Sequence, residues 1–200
     1  SATTTPQIGP NSLDTTDNIN GIGEYGSYVN SVSRIASTYT TAGKHVVFMS
    51  EGTASYPEPL AVVATVSGDA ILYGTRVYTG AMPSNHYDNK HGSSIAYDAA
   101  NDKVLIAQGT DNNHGNFMTV GTISGDSISF GSIATVDSGS TPTGISMRPQ
   151  GMVYVGGIGG DTTNRLVLAS QHNSNLDGEA RVITISGTTP TGGTVADFAS

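Results

Sequence analysis

Residues 123–130 read Ile-Ser-Gly-Asp-Ser-Ile-Ser-Phe, and close variants of this stretch occur at two other places in the chain. They are VSGDAIL at 66–72 and ISGTTPT at 185–191, and each follows an alternating apolar run. A two-residue Gly-Asp loop between strand-like runs is typical of a tight β-hairpin in which the glycine adopts a positive φ. The sequence therefore predicts that one kind of hairpin is built three times.

Two independent markers recur with the same spacing. The hairpin glycines are Gly68, Gly125 and Gly187, which lie 57 and 62 residues apart. A basic residue opens an apolar run 22 to 24 residues before each glycine, at Lys44, Lys103 and Arg165. A fixed spacing of two markers over three copies indicates a repeat architecture.

The clearest copy contains four strand-like runs, at 93–97, 103–108, 116–124 and 127–136. We therefore predict an all-β chain of three four-stranded antiparallel repeats of about 60 residues each, β-propeller-like in arrangement. A β-sandwich and an extended β-array are the alternatives. The predicted units are about 31–80, 92–139 and 152–200, and GGIGG at 156–160 is expected where the first strand of the third unit begins. Residues 1–30 are polar and are predicted to form an arm or linker.

Composition excludes several classes of function. The net charge is -8 with only 8 Lys and Arg, so nucleic-acid binding is not expected, because phosphates require a basic surface. No apolar run is long enough for a membrane span, so membrane insertion is not expected either. There is no cysteine, which excludes disulfides and thiolate metal sites. Abundant Ser, Thr and Gly favour short strands and turns over helices.

The run SIAYDAANDKVLIAQGTDNNHGNFMTVGTISGDSISFGSIATVDSG, residues 94–139, resembles the repeat of bacteriophage tail-fibre and related virion proteins. The matching motifs are a YD turn, an apolar strand, a VGT-SG hairpin and an SISFG strand, in this order. The third copy departs with TTPTGG, and the first has STYT at 37–40 instead of YD. The resemblance implies a propeller-like architecture and a virion protein that attaches to the host. It implies no active site.

In an up-and-down four-stranded unit, two tight hairpins lie at one end and the longer connections lie at the other. The segments 51–59, 80–92, 109–116 and 170–179 are expected at the longer end, where a rigid scaffold usually presents its contacts. The candidate residues for binding a glycan or a protein are His86, Tyr87, Asp88, Asn89, Lys90, His91, Tyr56, Asn113, His114 and His172. An ordinary set of solvated loops is the alternative interpretation.

One segment resembles the start of a calcium loop. Asn173, Asn175 and Asp177 alternate and precede Gly178, as oxygen ligands do in such loops. The first ligand is Asn instead of Asp, and Thr184 stands where a bidentate Glu is required, so a plain Asn/Asp/Gly turn is the favoured interpretation of the segment. Apart from this calcium candidate no cofactor is predicted, and the histidines lack the regular spacing of a zinc site.

No catalytic motif is present: the sequence has no G-x-S-x-G, no HExxH and no P-loop. The sequence therefore predicts a non-enzymatic virion protein, a tail fibre or spike component that contacts a host glycan or protein. A structural decoration or linker subunit, and a surface lectin or glycan hydrolase, are the alternatives. The expected partners are other virion proteins and further copies of the chain. Three units are too few to close a propeller ring, so either more chain exists, or copies assemble, or the ring is not closed.

Overall fold

The computed structural model describes residues 31–40, 43–52, 58–80, 93–108, 117–135, 147–156, 165–172 and 178–199. Every regular element within these ranges is a β-strand, and all paired strands are antiparallel. The predicted all-β class is therefore confirmed for this part of the chain. The predicted arm, residues 1–30, lies outside the described residues.

The strands form three sheets in chain order. Sheet 1 contains β1 (Ser31–Tyr39), β2 (Lys44–Gly52), β3 (Glu58–Ser67), β4 (Ala70–Tyr73) and β5 (Val77–Tyr78). Sheet 2 contains β6 (Ser93–Asp98), β7 (Lys103–Gln108), β8 (Phe117–Ser124), β9 (Ser127–Phe130) and β10 (Ala134–Thr135). Sheet 3 contains β11 (Met147–Tyr154), β12 (Arg165–His172), β13 (Gly178–Ser186) and β14 (Thr189–Ala199). Each sheet is an up-and-down meander, as the repeats predict.

The fourth strand of each sheet carries an irregularity that the sequence analysis missed. The run 127–136 was predicted as one strand, but it is divided into β9 and β10, which both pair with β8. In sheet 1, β4 and β5 divide in the same way along β3. The pairing of β14 with β13 shifts at the corresponding place, between Arg181 and Ile183. An extra residue on one strand of a pair is a β-bulge, and this one recurs in all three sheets.

The third unit begins earlier than predicted. Its first strand is β11, which starts at Met147 instead of residue 152, so GGIGG at 156–160 follows that strand and does not form it. This strand contains Pro149 and Gly151, residue types that are uncommon inside a sheet. β11 is an edge strand, and its pairing with β12 shifts between these two residues. Edge strands and bulges are where proline is tolerated in a sheet.

The repeated hairpin has the predicted geometry. Gly68, Gly125 and Gly187 have φ values of 60°, 59° and 61°, and the residue after each has no positive φ. A positive φ at only the first loop position is typical of a type II′ turn, which matches the twist of antiparallel strands. The three copies of the opening stretch therefore build one turn.

Sheet 2 is packed between the other two sheets. Core 1 joins it to sheet 1 and contains the buried residues Ala61, Val63, Ile95, Tyr97, Val104, Ile106 and Ile128. Core 2 joins it to sheet 3 and contains Ala96, Leu105, Ala107, Met118, Val120, Leu166, Leu168 and Ile183. Successive residues of β7 alternate between the two cores, because side chains of a strand point to opposite faces. This explains why VLIA at 104–107 is a continuous apolar run.

Sheet 1 packs on sheet 2 in the same way as sheet 2 packs on sheet 3, and we call this packing relationship the step between sheets. We call residues equivalent when they share the same cross-strand register in different sheets. Ala61 and Val63 of sheet 1 face sheet 2, and their equivalents Met118 and Val120 face sheet 3. First strands also contact first strands, since β6 contacts both β1 and β11. Each sheet turns the same face toward the next sheet and keeps its first strand beside the neighbour's first strand. Equivalent strands of the three sheets must therefore run in the same direction.

Candidate functional site

Because the three sheets run in the same direction, the connections between strands lie on two sides of the stack. The turn side carries the hairpins 68–69, 125–126 and 187–188 and the connections 40–43, 99–102 and 155–164. The connection side is the side at which the strands flanking 53–57, 79–92, 109–116, 136–146 and 173–177 end. The four segments predicted to share one end lie almost wholly outside the described residues, and the strands that flank them end on one side of the stack.

The limits of two predicted segments need correction. Residues 51–52 and 58–59 belong to β2 and β3, and residues 170–172 and 178–179 belong to β12 and β13. Backbone pairing extends the strands into residues that were predicted as loops, since polar residues are compatible with strand ends. The turn side is also less uniform than predicted, because the connection from β11 to β12 spans 155–164.

Most candidate binding residues lie in segments outside the described residues: Tyr56, His86, Tyr87, Asp88, Asn89, Lys90, His91, Asn113 and His114. His172 is the last residue of β12, and its backbone pairs with Met147 at the connection side. The strand ends on either side of these segments fix where each one leaves and re-enters the sheets. The strands that flank these segments all end on the connection side of the stack.

The calcium candidates Asn173, Asn175 and Asp177 also lie outside the described residues, between β12 and β13 on the connection side. Within the described part of the chain, no three residues of the His, Cys, Asp and Glu types come together in a way that could hold a metal ion.

Gln108, at the connection side, has a buried polar atom without a hydrogen-bond partner among the described residues. Gln108 ends β7 and is only 2% exposed, although its side chain is polar. Its amide nitrogen Nε2 has no hydrogen-bond partner among the described residues. A buried amide N–H without an acceptor is costly.

The turn side contains a polar cluster that the sequence analysis did not identify. The fully buried Asp98 accepts hydrogen bonds through Oδ1 from the backbone N–H groups of Ala100 (3.1 Å) and Asn101 (3.2 Å). Its Oδ2 accepts a bond of 2.9 Å from the Asn101 side chain. Tyr97 donates its hydroxyl to Asp102 Oδ1 at 2.7 Å. These bonds close the β6–β7 turn locally.

A shallow cleft lies where the hairpin of sheet 2 meets the edge of sheet 1. Its lining consists of Tyr73, Gly74, Thr75, Asp126 and Ser127. Asp126 is the single carboxylate in this lining, whereas glycoside hydrolysis ordinarily requires a pair of acids that flank the scissile bond. The cleft as described therefore offers hydrogen-bonding groups but no acid pair.

No family model matches this chain, and no curated protein or solved structure matches it either. The similarity to phage tail-fibre repeats thus stays a prediction that rests on the motifs at 94–139. None of the described residues belongs to a helix long and apolar enough to cross a membrane.

Proposed function

We propose that this chain is a non-enzymatic virion protein, a tail-fibre or spike component whose connection side contacts a glycan or protein on the host surface. One observation supports the proposal: in three sheets stacked in the same direction, the strands that flank the connection-side segments, 79–92 included, end on one side of the stack. A rigid scaffold that collects long connections on one side is a common arrangement for recognition.

We also propose that the stack is a section of a propeller-like array. Support comes from the repetition of one step, in which first strands contact first strands and the third strand of one sheet contacts the fourth strand of the next. A step that contains a rotation, when repeated, generates either a closed ring or an open helical array. In a two-layer β-sandwich each sheet buries only one face, so no third sheet packs on the other face. Sheet 2 instead buries one face in core 1 and the other in core 2.

The chemistry of the connection-side segments fits a polar ligand. His86, Asp88, Asn89 and Lys90 provide donors and acceptors in one short stretch, and Tyr87 adds a ring face on which a sugar can stack. Carbohydrates combine hydroxyl groups with apolar ring faces, so this set of side chains suits them.

The test measures adsorption of the fluorescently labelled chain to a panel of bacterial strains and to immobilised surface polysaccharides. The double variant Tyr87→Ala/Asp88→Ala should reduce binding at least about tenfold, the effect of losing roughly 1.4 kcal/mol of contact energy. Asp161→Ala is the matched control, because it removes the same charge from the connection between β11 and β12 on the turn side.

Full binding by a folded double variant would contradict the proposed contact surface and favour a structural decoration subunit. Release of reducing ends from a bound polysaccharide would contradict the non-enzymatic part of the proposal and favour a glycan hydrolase.

A further inference from the structure

The face of sheet 3 that points away from core 2 is apolar and open. Val153, Val167 and Val182 form a cross-strand row on this face. Val153 is 56% exposed and Val182 is 39% exposed. Beside this row, Ala169 pairs with Gly151 on one strand and with Ala180 on the other. Three strands thus present a flat patch of small apolar side chains to solvent.

The equivalent face of sheet 2 is not open, because sheet 3 covers it. The equivalents of Val153, Val167 and Val182 are Ala96, Leu105 and Val120. All three of these sheet 2 residues are buried in core 2. The molecule therefore shows what packs on this kind of face: the opposite face of another repeat.

Sheet 1 has the complementary open face. Tyr39 is 60% exposed, whereas its equivalent in sheet 2, Tyr97, is 8% exposed in core 1. Ile71 is 47% exposed, whereas its equivalent Ile128 is 2% exposed. The residue types are identical at both positions, so the difference in exposure arises only because no sheet precedes sheet 1 among the described residues.

A glycine recurs at the equivalent position of all three sheets and supports the same packing of a sheet 1 face on a sheet 3 face. The hairpin of sheet 2 lies against Gly74 of sheet 1, and the hairpin of sheet 3 lies against Gly131 of sheet 2. The equivalent residue of sheet 3 is Gly193, which meets only atoms of its own Val182. Sheet 3 therefore retains the glycine against which a further hairpin could pack.

We propose that a second copy of this chain packs the open face of its sheet 1 onto the open face of sheet 3, head to tail. The hairpin at Gly68 and Asp69 of the second copy then lies against Gly193, as the hairpins within one chain lie against Gly74 and Gly131. The association repeats the step already made twice within the chain. It does not depend on the proposed host contact, which uses a different side of the stack.

Two properties follow from this geometry. The interface joins two different surfaces, so it is heterologous and builds a ring or an open filament instead of a symmetric dimer. Each copy carries a net charge of -8, so the copies repel each other at low ionic strength. Raising the salt concentration should therefore strengthen the association.

The test uses analytical ultracentrifugation of the full chain over a range of protein and salt concentrations. Wild-type protein should form species larger than a dimer. Val153→Asp, on sheet 3, and Ile71→Asp, on sheet 1, should each be monomeric, because each places an unpaired charge in the interface. Circular dichroism of each variant alone verifies that it is folded.

The deciding measurement is an equimolar mixture of the two variants. The intact sheet 1 of Val153→Asp can pack on the intact sheet 3 of Ile71→Asp, so the mixture should form a 1:1 dimer and nothing larger. Gly193→Ala is a milder change. The equilibrium constant for assembly of this variant should be at least tenfold lower than that of the wild type, while its monomer stays folded. A monomeric wild type, a mixture that stays monomeric, or single variants that still form dimers would each overturn the proposal.

Discussion

Gly74 of sheet 1 lies directly against the backbone of Asp126 in the hairpin of sheet 2, so closely that a Cβ on Gly74 would overlap the Asp126 carbonyl oxygen. The same relationship joins sheet 2 to sheet 3, since a Cβ on Gly131 would be 2.6 Å from Cβ of Thr188. Both glycines donate their N–H to the neighbouring third strand, to Val63 and Val120. They adjoin the bulge in the fourth strand, which makes room for the next hairpin.

Substitution of these glycines should disturb the packing between sheets. Gly74→Ala and Gly131→Ala should each lower the free energy of unfolding by about 1–3 kcal/mol, as overpacking of a close contact does. The measurement is urea-induced unfolding followed by far-UV circular dichroism, at a protein concentration that keeps the chain monomeric. Gly193→Ala is the matched control and should cost less than about 1 kcal/mol, because no hairpin lies against it within the chain. Equal losses at all three positions would show that the bulge itself, not the contact between sheets, requires glycine.

The buried carboxylate of Asp98 should be important for the β6–β7 turn. Asp98→Ala leaves the N–H groups of Ala100 and Asn101 without their acceptor and should lower the free energy of unfolding by about 1–3 kcal/mol. Asp98→Asn retains an acceptor oxygen and should cost less. Asp69→Ala, in an exposed hairpin, should change stability by no more than about 0.5 kcal/mol. If Asp98→Ala left the free energy of unfolding unchanged, water must replace the carboxylate as the acceptor.

The hydroxyl of Tyr97 should contribute through its bond to Asp102. Tyr97→Phe removes a hydrogen bond of 2.7 Å while it keeps the ring in core 1, so the expected loss is about 0.5–1.5 kcal/mol. Asp102 has a φ of 52°, a conformation that an unrestrained Asp seldom adopts, and the Tyr97 bond helps to hold it. Tyr39→Phe is the control: its ring lies edge-on to His45 and is mostly exposed, and we expect no measurable change. Chemical denaturation measures the free energy of unfolding of both variants. An equal loss in Tyr97→Phe and Tyr39→Phe would contradict the prediction.

Equivalent isoleucines should differ in importance because only one of them is covered. Ile128→Ala should lower the free energy of unfolding by about 2–5 kcal/mol, the usual cost of a cavity in a packed core. Ile71→Ala, at the equivalent exposed position, should cost under about 1 kcal/mol in the monomer. Thermal unfolding of dilute protein provides the comparison. If Ile71→Ala were as damaging as Ile128→Ala under these conditions, another part of the same chain must cover sheet 1.

Local patterns predicted a large part of the fold. The run at 103–108 was predicted as a strand and is β7, and the positive φ of the three hairpin glycines was expected from the two-residue loops that begin with glycine. These features depend on turn chemistry and on alternation of apolar residues, which neighbouring residues determine. The divided fourth strand was not predicted, because a one-residue bulge leaves the apolar alternation of a short run nearly unchanged. The early start of β11 was missed because proline is compatible with a strand only at an edge, and edges are defined by the sheet.

The candidate site was predicted only as a side of the scaffold. Tyr56, Tyr87, His114 and Asn173 lie outside the described residues, and only the strands on either side of their segments end on one side, since an antiparallel meander alternates its connections between two ends. The mutual geometry of these side chains is not something that strand periodicity determines. The Asp98 cluster was overlooked although YDAAND carries a signal for it: an Asp whose side chain can accept from the N–H groups two and three residues later.

The sequence by itself determined the hairpins, the antiparallel pairing and the number of repeats, because each depends on residues that are close along the chain. The tertiary structure decided which faces are buried. Tyr39 and Tyr97 have the same residue type and the same register, yet one is exposed and the other lies in core 1. A side chain leaves water only when another surface covers it, and the covering sheet is a matter of stacking, not of local sequence.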